Sequence, residues 1–428
     1  MNRLLDLARS TPRWLGRVVR RALASPTTPT HTTLSFAMTS VVALLVVLGL
    51  LMVLSTSSVL GLEAGDSAWS GFSRQLMWAV IGVVAFVFAS RTHYRKWRTW
   101  MPVVVVGALV ALVLVLIPGI GSEVDGARRW IQFGPVGFQP SELAKLAMLC
   151  YAATLLDRRQ GRLDDWRLGF APILGMVVLL GGLVMAEPDL DTTIEIALIG
   201  GSVMWVAGVR LKHLSVLAIF GATTVAVFVL AFPWRLSRLL AFLNPSDDPQ
   251  GAGYQTRQSL LSIANGGVPG VGPGQGRSKW SGGLPAVHTD FIFSAIGEEL
   301  GLIGGVFVLG LFVAFAFIGF RVAIRAGERD RFAMLLASGA TAWVCFQAII
   351  NTAMATGMLP VTGTPLPFIS VGGSSLVSFM IAAGLLVNIA RHTAPRPIPR
   401  SAAHPAIRGA GDHAALRSAS GRPRPAIT

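Results

Sequence analysis

Long apolar runs separated by short polar segments dominate the chain and set its predicted architecture. A helix needs roughly 20 mostly apolar residues to cross the hydrocarbon core of a membrane. The pattern therefore predicts an all-α polytopic membrane protein with about ten transmembrane helices, of which the fourth and sixth are the least hydrophobic. The predicted helices lie near residues 34–56, 73–90, 99–118, 140–157, 168–186, 191–208, 213–232, 291–320, 331–357 and 373–391.

The polar segments divide the chain into three predicted parts, of which residues 34–391 are the ten-helix membrane domain. Residues 1–33 form a basic tail in which apolar positions at helical spacing alternate with arginines. This tail fits either a helix on an anionic membrane surface or a plain basic extension. Residues 392–428 are rich in Pro, Arg and Ala, which predicts a disordered tail.

Lysine and arginine are concentrated in alternate loops, and this bias predicts the orientation in the membrane. The loops after the even-numbered helices are basic, whereas the loop after the first helix carries neither residue before Arg74. Because cytoplasmic loops carry the excess of Lys and Arg, both termini are predicted to be cytoplasmic. The long loop 233–290, between predicted helices 7 and 8, is then extracytoplasmic, together with the loops 125–139 and 360–373.

Composition agrees with this interpretation, since 53% of the residues are hydrophobic, 13% are charged and the mean hydropathy is +0.62. A soluble domain carries about 25% charged residues. The formal charge of +15 is typical of nucleic-acid binding, but the basic residues lie in the tails and in short loops, so we expect no nucleic-acid partner. Cys150 and Cys345 lie within apolar runs and are predicted to be core residues rather than disulfide or metal ligands.

The most informative segment is Leu284–Leu300, LPAVHTDFIFSAIGEEL, which places His288, Thr289 and Asp290 directly before an apolar helix. An ionised carboxylate next to hydrocarbon is costly unless it has a partner or a function. Capping of the helix is one explanation for Asp290. The other is general-base catalysis, with His288 and Thr289 as positioning groups.

Several basic side chains lie at the predicted outer ends of the helices. Arg129 is placed where the topology rule disfavours arginine, which indicates a ligand or a partner. Glu142 and Lys145 share a helical face, either as a structural ion pair or as part of a site. In the second case Lys145 and Arg129 hold an anion such as diphosphate while Glu142 orients the lysine. Arg235 and Arg238 share a face at the start of the long loop.

Three further segments interrupt the apolar pattern. Ala186–Thr193 brings Asp189 and Asp191 into a short loop, where they either cap the next helix or support a site. Gly266–Gly276 lacks the setting of a nucleotide-binding loop, so a flexible lid is the preferred interpretation. Leu359–Leu376 is dense in Pro and Gly, which predicts an irregular re-entrant segment that is buried in protein or lines a wet cavity.

These motifs, in this order, resemble the SEDS family (shape, elongation, division and sporulation) of peptidoglycan polymerases over residues 34–391. The motif HTDFIFSAIGEELG is more similar to the division branch than to the elongation branch. The resemblance implies a glycosyltransferase at the outer face of the cytoplasmic membrane that polymerises lipid II and releases undecaprenyl diphosphate. It also implies septal wall synthesis, with a class B penicillin-binding protein, other membrane proteins of the division machinery and membrane lipids as partners.

The resemblance also assigns residues. The family's essential loop aspartate corresponds to Asp290, and its PDL-type aspartate corresponds to Asp189. Asp191 stands where the family usually has glycine. The arginine before tryptophan and the QPSE-x-x-K pair correspond to Arg129, Glu142 and Lys145.

The predicted active site therefore combines a base with a set of substrate-binding groups. Asp290 is the predicted catalytic residue, and a divalent cation such as Mg²⁺ or Mn²⁺ is compatible with the reaction without being required by the sequence. A lipid II flippase and a non-catalytic scaffold that activates a penicillin-binding protein are the alternative functions. The predicted substrate-binding residues are Arg129, Glu142, Lys145, His288, Thr289, Asp189, Arg235 and Arg238.

Overall fold

The computed structural model describes residues 31–63, 65, 67–124, 126–134, 136–243, 253–280 and 283–393. The predicted N-terminal and C-terminal tails therefore lie outside the described residues, apart from their few residues next to the membrane domain. Part of the long loop 233–290 also lies outside them.

The described residues form twelve α-helices, nine of which are long and apolar enough to cross a membrane. A π-helical turn, Trp166–Phe170, leads into the fifth helix. In chain order the helices are α1 (His31–Glu63), α2 (Ser70–Arg91), α3 (Tyr94–Leu116), α4 (Pro140–Arg158), α5 (Ala171–Ala186), α6 (Leu190–Ala207), α7 (Leu211–Ala231), α8 (Pro233–Leu243), α9 (Tyr254–Gly266), α10 (Ile292–Gly327), α11 (Arg331–Ala355) and α12 (Gly373–His392).

α4 completes the predicted set of ten helices, although it is more polar than the other nine. It packs against α3, α6 and α11, and most of its side chains are buried. Because protein rather than lipid surrounds α4, charged side chains are stable within it when they are paired. The predicted all-α polytopic fold with about ten transmembrane helices is confirmed.

A small antiparallel sheet, which the hydrophobic pattern did not predict, connects α3 to α4. Its strands β1 (Gly121–Val124), β2 (Ala127–Phe133) and β3 (Val136–Phe138) pair in the order β1-β2-β3. Gly126 and Gly134, with φ of +75° and +62°, lie in the tight turns between the strands. Glycine adopts these left-handed conformations without a steric penalty. The sheet is too short to show a clear alternation in the sequence.

α10 differs from the continuous helix predicted over 291–320, because it is broken at Gly301 (φ +66°, ψ −165°). A Cβ atom on Gly301 would lie 2.3 Å from the backbone nitrogen of Gly270. The glycine-rich segment 266–276 therefore packs directly against the break. Its backbone bonds both halves of the helix: Val271 N to Glu298 O, Gly272 N to Glu299 O, Leu302 N to Gly267 O and Ile303 N to Val268 O.

The side chains of Glu298 and Glu299, for which the sequence predicted no role, bond the same segment. Glu298 accepts from the amides of Arg277 and Ser278 at 3.0 and 3.1 Å. Glu299 accepts from Lys279 Nζ at 2.9 Å, and further donors to it come from Ser55 Oγ and the Gly274 amide. These contacts contradict the interpretation of Gly266–Gly276 as a flexible lid. A segment that makes this many hydrogen bonds to α10 is part of the folded helix bundle.

Residues 356–372, between α11 and α12, contain neither helix nor strand, as predicted for an irregular segment. Ile369 lies against Gly49 near the middle of α1, where an added Cβ would be 2.7 Å from Ile369 Cα. Leu366, Phe368 and Ile369 are buried. The segment therefore enters the helix bundle and is covered by protein, which is the condition under which irregular backbone is tolerated at membrane depth.

Candidate active site

Asp290 lies two residues before the start of α10, and the backbone around it is held on one side by α11 and the irregular segment. Three successive backbone carbonyl groups each accept one hydrogen bond, so this short stretch has little freedom to move. The bonds are Val371 N to His288 O (3.0 Å), Ser370 Oγ to Thr289 O (2.6 Å) and Asn351 Nδ2 to Asp290 O (2.7 Å).

The side chain of Asp290 does not cap α10. The residue at the cap position is Phe291, and no side chain bonds the first helical amides. Burial raises the pKa of Asp290 to about 6, while the positive charge of Arg238 and the neighbouring Thr289 side chain act in the opposite direction. A carboxylate with this pKa is largely ionised at neutral pH and accepts a proton more readily than an exposed aspartate.

A second carboxylate faces Asp290 across Gly363. The position that a Cβ atom on Gly363 would occupy is 3.6 Å from Asp290 Oδ2 and 3.8 Å from Asp191 Oδ2. The two oxygens are therefore no farther apart than the sum of these distances. Gly363 has a φ of +94°, a conformation that glycine adopts readily. The absence of a side chain there leaves a gap between the two carboxylates.

Arg129 on β2 and Arg235 on α8 converge on the turn between α5 and α6. Arg129 donates to the backbone oxygens of Glu187 (3.1 Å) and Pro188 (2.7 Å). Arg235 donates to the same Pro188 oxygen at 2.7 Å, and its guanidinium lies 4.1 Å from the centre of the Phe228 ring. Both positive charges are thus brought to one turn, beside the start of α6.

The same turn contains two further acidic residues, one of which caps a helix. Asp189 caps α6, accepting from Thr192 N at 3.2 Å and from Thr192 Oγ1 at 2.9 Å. The capping alternative is therefore confirmed for Asp189. Glu187 is fully buried, and neither of its carboxylate oxygens has a hydrogen-bond partner among the described residues. Burial, and then the charge of Asp189, raise the pKa of Glu187 to about 9 against the effect of Arg129, so it is protonated near neutral pH.

Lys145 lies in a closed, buried ion-pair cluster. Its Nζ is 2.8 Å from Glu142 Oε1 and 2.8 Å from Glu195 Oε2, and its side chain is 2% exposed. Gln347 extends the cluster, because its Oε1 is 3.5 Å from Lys145 Nζ and its Nε2 donates to Pro365 O. These contacts agree with the structural alternative for Glu142 and Lys145. A direct role of Lys145 at a diphosphate stays a prediction that they do not support.

The remaining predicted residues lie around Asp290. Thr289 Oγ1 donates to Ala286 O at 3.2 Å, which closes the turn before the helix. The Nδ1 atom of His288 is buried and has no hydrogen-bond partner among the described residues, and burial lowers the pKa of this imidazole. Arg238 is exposed on α8 and close enough for its charge to lower the pKa of Asp290.

The described residues contain no group of three or more His, Cys, Asp and Glu side chains that could hold a metal ion. Asp191 and Asp290 both border the gap at Gly363, and two ligands do not define a metal centre. A divalent cation therefore stays an expectation of the sequence.

Comparisons with known proteins place this arrangement in a family. Residues 36–395 match the FtsW/RodA/SpoVE family of cell cycle proteins. Stage V sporulation protein E of Bacillus subtilis is 40% identical over 352 residues, which are 82% of this chain and 95% of that protein. A protein of Geobacter metallireducens named probable peptidoglycan glycosyltransferase FtsW is 38% identical over 341 residues, or 80% of this chain and 90% of that protein.

Solved structures share the fold. One solved structure, described by the words "Structural coordination of polymerization and crosslinking by a peptidoglycan synthase complex", matches with a TM-score of 0.69 and 29% sequence identity. The match covers 84% of this chain and 98% of the solved chain. The rod shape determining protein RodA of Thermus thermophilus matches with a TM-score of 0.59 and 27% identity, over 83% of this chain and 95% of the RodA chain. The chain belongs to the FtsW/RodA/SpoVE family.

Proposed function

We propose that this protein is a peptidoglycan glycosyltransferase that polymerises lipid II at the outer face of the cytoplasmic membrane, for septal wall synthesis in cell division. The observation that carries the proposal is Asp290, a mostly buried carboxylate with a raised pKa on a backbone that three hydrogen bonds hold in place. The names of the family relatives support the same activity.

The proposed reaction joins two lipid-linked disaccharides. Asp290 takes the proton of the attacking 4-hydroxyl, the oxygen bonds to the anomeric carbon of the other chain, and the bond to undecaprenyl diphosphate breaks. A positioned base contributes about 10²–10⁴-fold to such a step. The leaving diphosphate develops negative charge, which the guanidinium groups of Arg129, Arg235 and Arg238 on the same side of the bundle stabilise. The proton remains on Asp290 until solvent removes it.

In the proposed mechanism, the cluster of Lys145, Glu142 and Glu195 holds the elements around the site in position. It joins α4 to α6, and Gln347 connects it to the irregular segment that also holds the Asp290 backbone. A change in the geometry of this cluster would therefore move α4, α6 and the irregular segment relative to one another. These residues therefore position the reacting groups without touching the diphosphate.

The orientation and the partners belong to the same proposal. Both termini are cytoplasmic, and the loops that carry Arg129 and Asp290 face outward, because the basic residues lie in the alternate loops at the other end. A class B penicillin-binding protein crosslinks the new glycan, and other division proteins and membrane lipids adjoin the complex at the septum. The similarity to a solved peptidoglycan synthase complex supports a synthase partnership.

The test is polymerisation of fluorescent lipid II by purified protein in detergent, with and without a class B penicillin-binding protein that lacks its own glycosyltransferase. We expect the wild type to make glycan chains and Asp290→Asn to lose at least about 100-fold in rate. Asp164→Asn is the matched control, because Asp164 pairs with Arg210 at 2.6 Å in an exposed loop at the opposite end.

Both alternatives predict no polymer in this assay, which distinguishes them from the proposed polymerase. A flippase makes no polymer in detergent, since no second leaflet exists there. A scaffold makes none under any condition in which the partner has no polymerase of its own. Polymer formation by Asp290→Asn at the wild-type rate, with an unchanged melting temperature, would remove Asp290 from the mechanism.

A further inference from the structure

Asp191 is an acidic residue of the site that the fold does not need and that the proposed mechanism does not use. It lies in the first turn of α6, two residues after Asp189, which already caps the helix. Within the described part of the chain, the carboxylate of Asp191 makes no hydrogen bond and no ion pair. Since the family usually has glycine here, the helix does not need this side chain in order to start.

The carboxylate of Asp191 borders the same gap as the proposed base. Apart from the residues that adjoin Gly363, Asp191 Oδ2 and Asp290 Oδ2 are the only described atoms within 4 Å of the point where a Gly363 Cβ would lie. The two oxygens therefore approach the gap from α6 and from the segment before α10. Their hydrogen-bonding capacity is directed at a space that protein atoms leave open.

Two arginines of α8 interact electrostatically with these carboxylates. Arg238 lowers the pKa of Asp290, and the charge of Asp191 opposes the lowering of the Arg235 pKa that burial causes. Arg235 and Arg238 are three residues apart and so share a face of α8. The gap is thus bordered by two carboxylate oxygens, and each of these carboxylates interacts electrostatically with an arginine of α8.

This arrangement matches one sugar next to one diphosphate. A carboxyl oxygen accepts hydrogen bonds from hydroxyl groups. Neighbouring hydroxyls of a pyranose ring point in different directions, so a single sugar offers one donor for each of the two carboxylates. A divalent cation is less well matched, because the described residues supply no third acidic, His or Cys ligand and the two arginines repel it.

We propose that Asp191 binds the acceptor sugar, accepting a hydrogen bond from a hydroxyl next to the one that Asp290 deprotonates. Asp191 thereby orients the attacking oxygen toward the anomeric carbon and fixes which hydroxyl faces the base. This inference rests on the proposed glycosyl transfer. It adds a substrate contact that the family pattern, with glycine at this position, does not contain.

The test pairs variants of Asp191 with acceptor analogues that lack the hydroxyl at C3 or at C6 of the sugar that carries the attacking 4-hydroxyl. We expect Asp191→Ala to lose about 10-fold or more in kcat/KM, mainly through KM, because a hydrogen bond to a charged group is removed. Asp191→Asn keeps an acceptor oxygen of the same shape and is expected to retain more activity than Asp191→Ala.

The analogues separate substrate contact from a structural effect. With one of the two analogues, the wild type should lose about as much in kcat/KM as Asp191→Ala loses with the normal acceptor. The kcat/KM of Asp191→Ala should fall little further when that analogue replaces the normal acceptor. Equal losses from the analogue in both proteins would overturn the proposal. Asp164→Ala, in the exposed loop at the opposite end, is the control and should match the wild type throughout.

Three further outcomes are distinguishable. If Asp191→Ala removes a dependence on Mg²⁺ or Mn²⁺ and leaves the analogue effects unchanged, the two carboxylates hold a cation and the sugar contact is wrong. If Asp191→Ala does not fold, the same comparison is made with Asp191→Asn and Asp191→Gly, since glycine is the usual residue here. Failure of the wild type to polymerise lipid II would instead overturn the proposed function itself.

Discussion

The buried carboxylates of this protein fall into two groups that differ in how their charge is used. Glu142 and Glu195 share one lysine at 2.8 Å each, and Glu299 is bonded by a second lysine, a serine and a backbone amide. Asp290 and Asp191 have no such partner and face a gap instead. The first group is paired with lysine side chains of the protein, and the second keeps its acceptor capacity for something outside the chain.

The difference shows what a buried charge requires in a membrane protein. Removing a carboxylate from water is expensive, so an ionised one persists only where a cation and donors surround it. The closed clusters satisfy this condition and hold helices together. The open pair satisfies it only in part, through the nearby charges of Arg235 and Arg238, which is the state expected of groups that bind or deprotonate a substrate.

The largest effect on stability is expected from Lys145→Met, which leaves Glu142 and Glu195 buried without their cation. Breaking a buried pair from one side costs about 3–5 kcal/mol. We expect the free energy of unfolding in detergent to fall by that amount, measured by chemical denaturation. The triple variant Lys145→Met, Glu142→Gln, Glu195→Gln is the control.

In the triple variant the unpaired charges are removed together with the lysine, so most of the lost stability should return. If Lys145→Met alone is as stable as the wild type but inactive, Lys145 binds substrate directly. That result would support the substrate-binding role that the sequence predicted for Lys145.

The second effect concerns Lys279→Met, which removes the cation from Glu299. The loss should lie at the lower end of the same range, about 3 kcal/mol, because Ser55 and the Gly274 amide still donate to the carboxylate. Hydrogen exchange should rise first in residues 267–280, since this segment is bonded to both halves of α10. Uniform exchange across the whole bundle would show that the cluster does not anchor this segment in particular.

The third prediction is a pH profile for Asp290, whose pKa burial raises to about 6. A base works when it is unprotonated, so the rate should be half-maximal near pH 6 and fall about tenfold per pH unit below it. Stability has the opposite sign. A carboxyl group that binds its proton more tightly in the folded state loses stabilisation as the pH rises from the unfolded pKa to the folded one.

Asp290→Asn should therefore remove the part of the stability profile that falls between about pH 4 and 6. Polymerisation rates and melting temperatures over pH 4.5–8 measure both curves in the same preparations. A rate that is flat across this interval in the wild type would mean that another group takes the proton.

The helices were predictable from the sequence because each apolar run is long enough to be decisive by itself. The break at Gly301 was not, since it depends on the backbone of residues 268–270, which approaches from another part of the chain. The sheet escaped prediction for the same reason: its strands are three to seven residues long and are defined by pairing.

The site shows a similar division. Asp290 was found because a carboxylate beside an apolar helix is conspicuous in any sequence. Glu195 was missed because a single acidic residue inside a helix gives no sign of the lysine 50 positions earlier that neutralises it. The proximity of Asp191 to Asp290 was also invisible, because Gly363 brings them together from a third segment.

The smallest effect, and the finest test of the comparison, concerns Asp189, which lies in the turn beside Asp191 but is bonded within the protein, by Thr192. Asp189→Ala removes the cap of α6 and should cost about 1 kcal/mol. Asp189→Ser also caps, so it should recover most of that stability and, with it, the activity. If Asp189→Ser is stable but as inactive as Asp189→Ala, the carboxylate has a second use at the site. Asp189 would then resemble Asp191 and Asp290, because its carboxylate would contact the substrate as well as cap the helix.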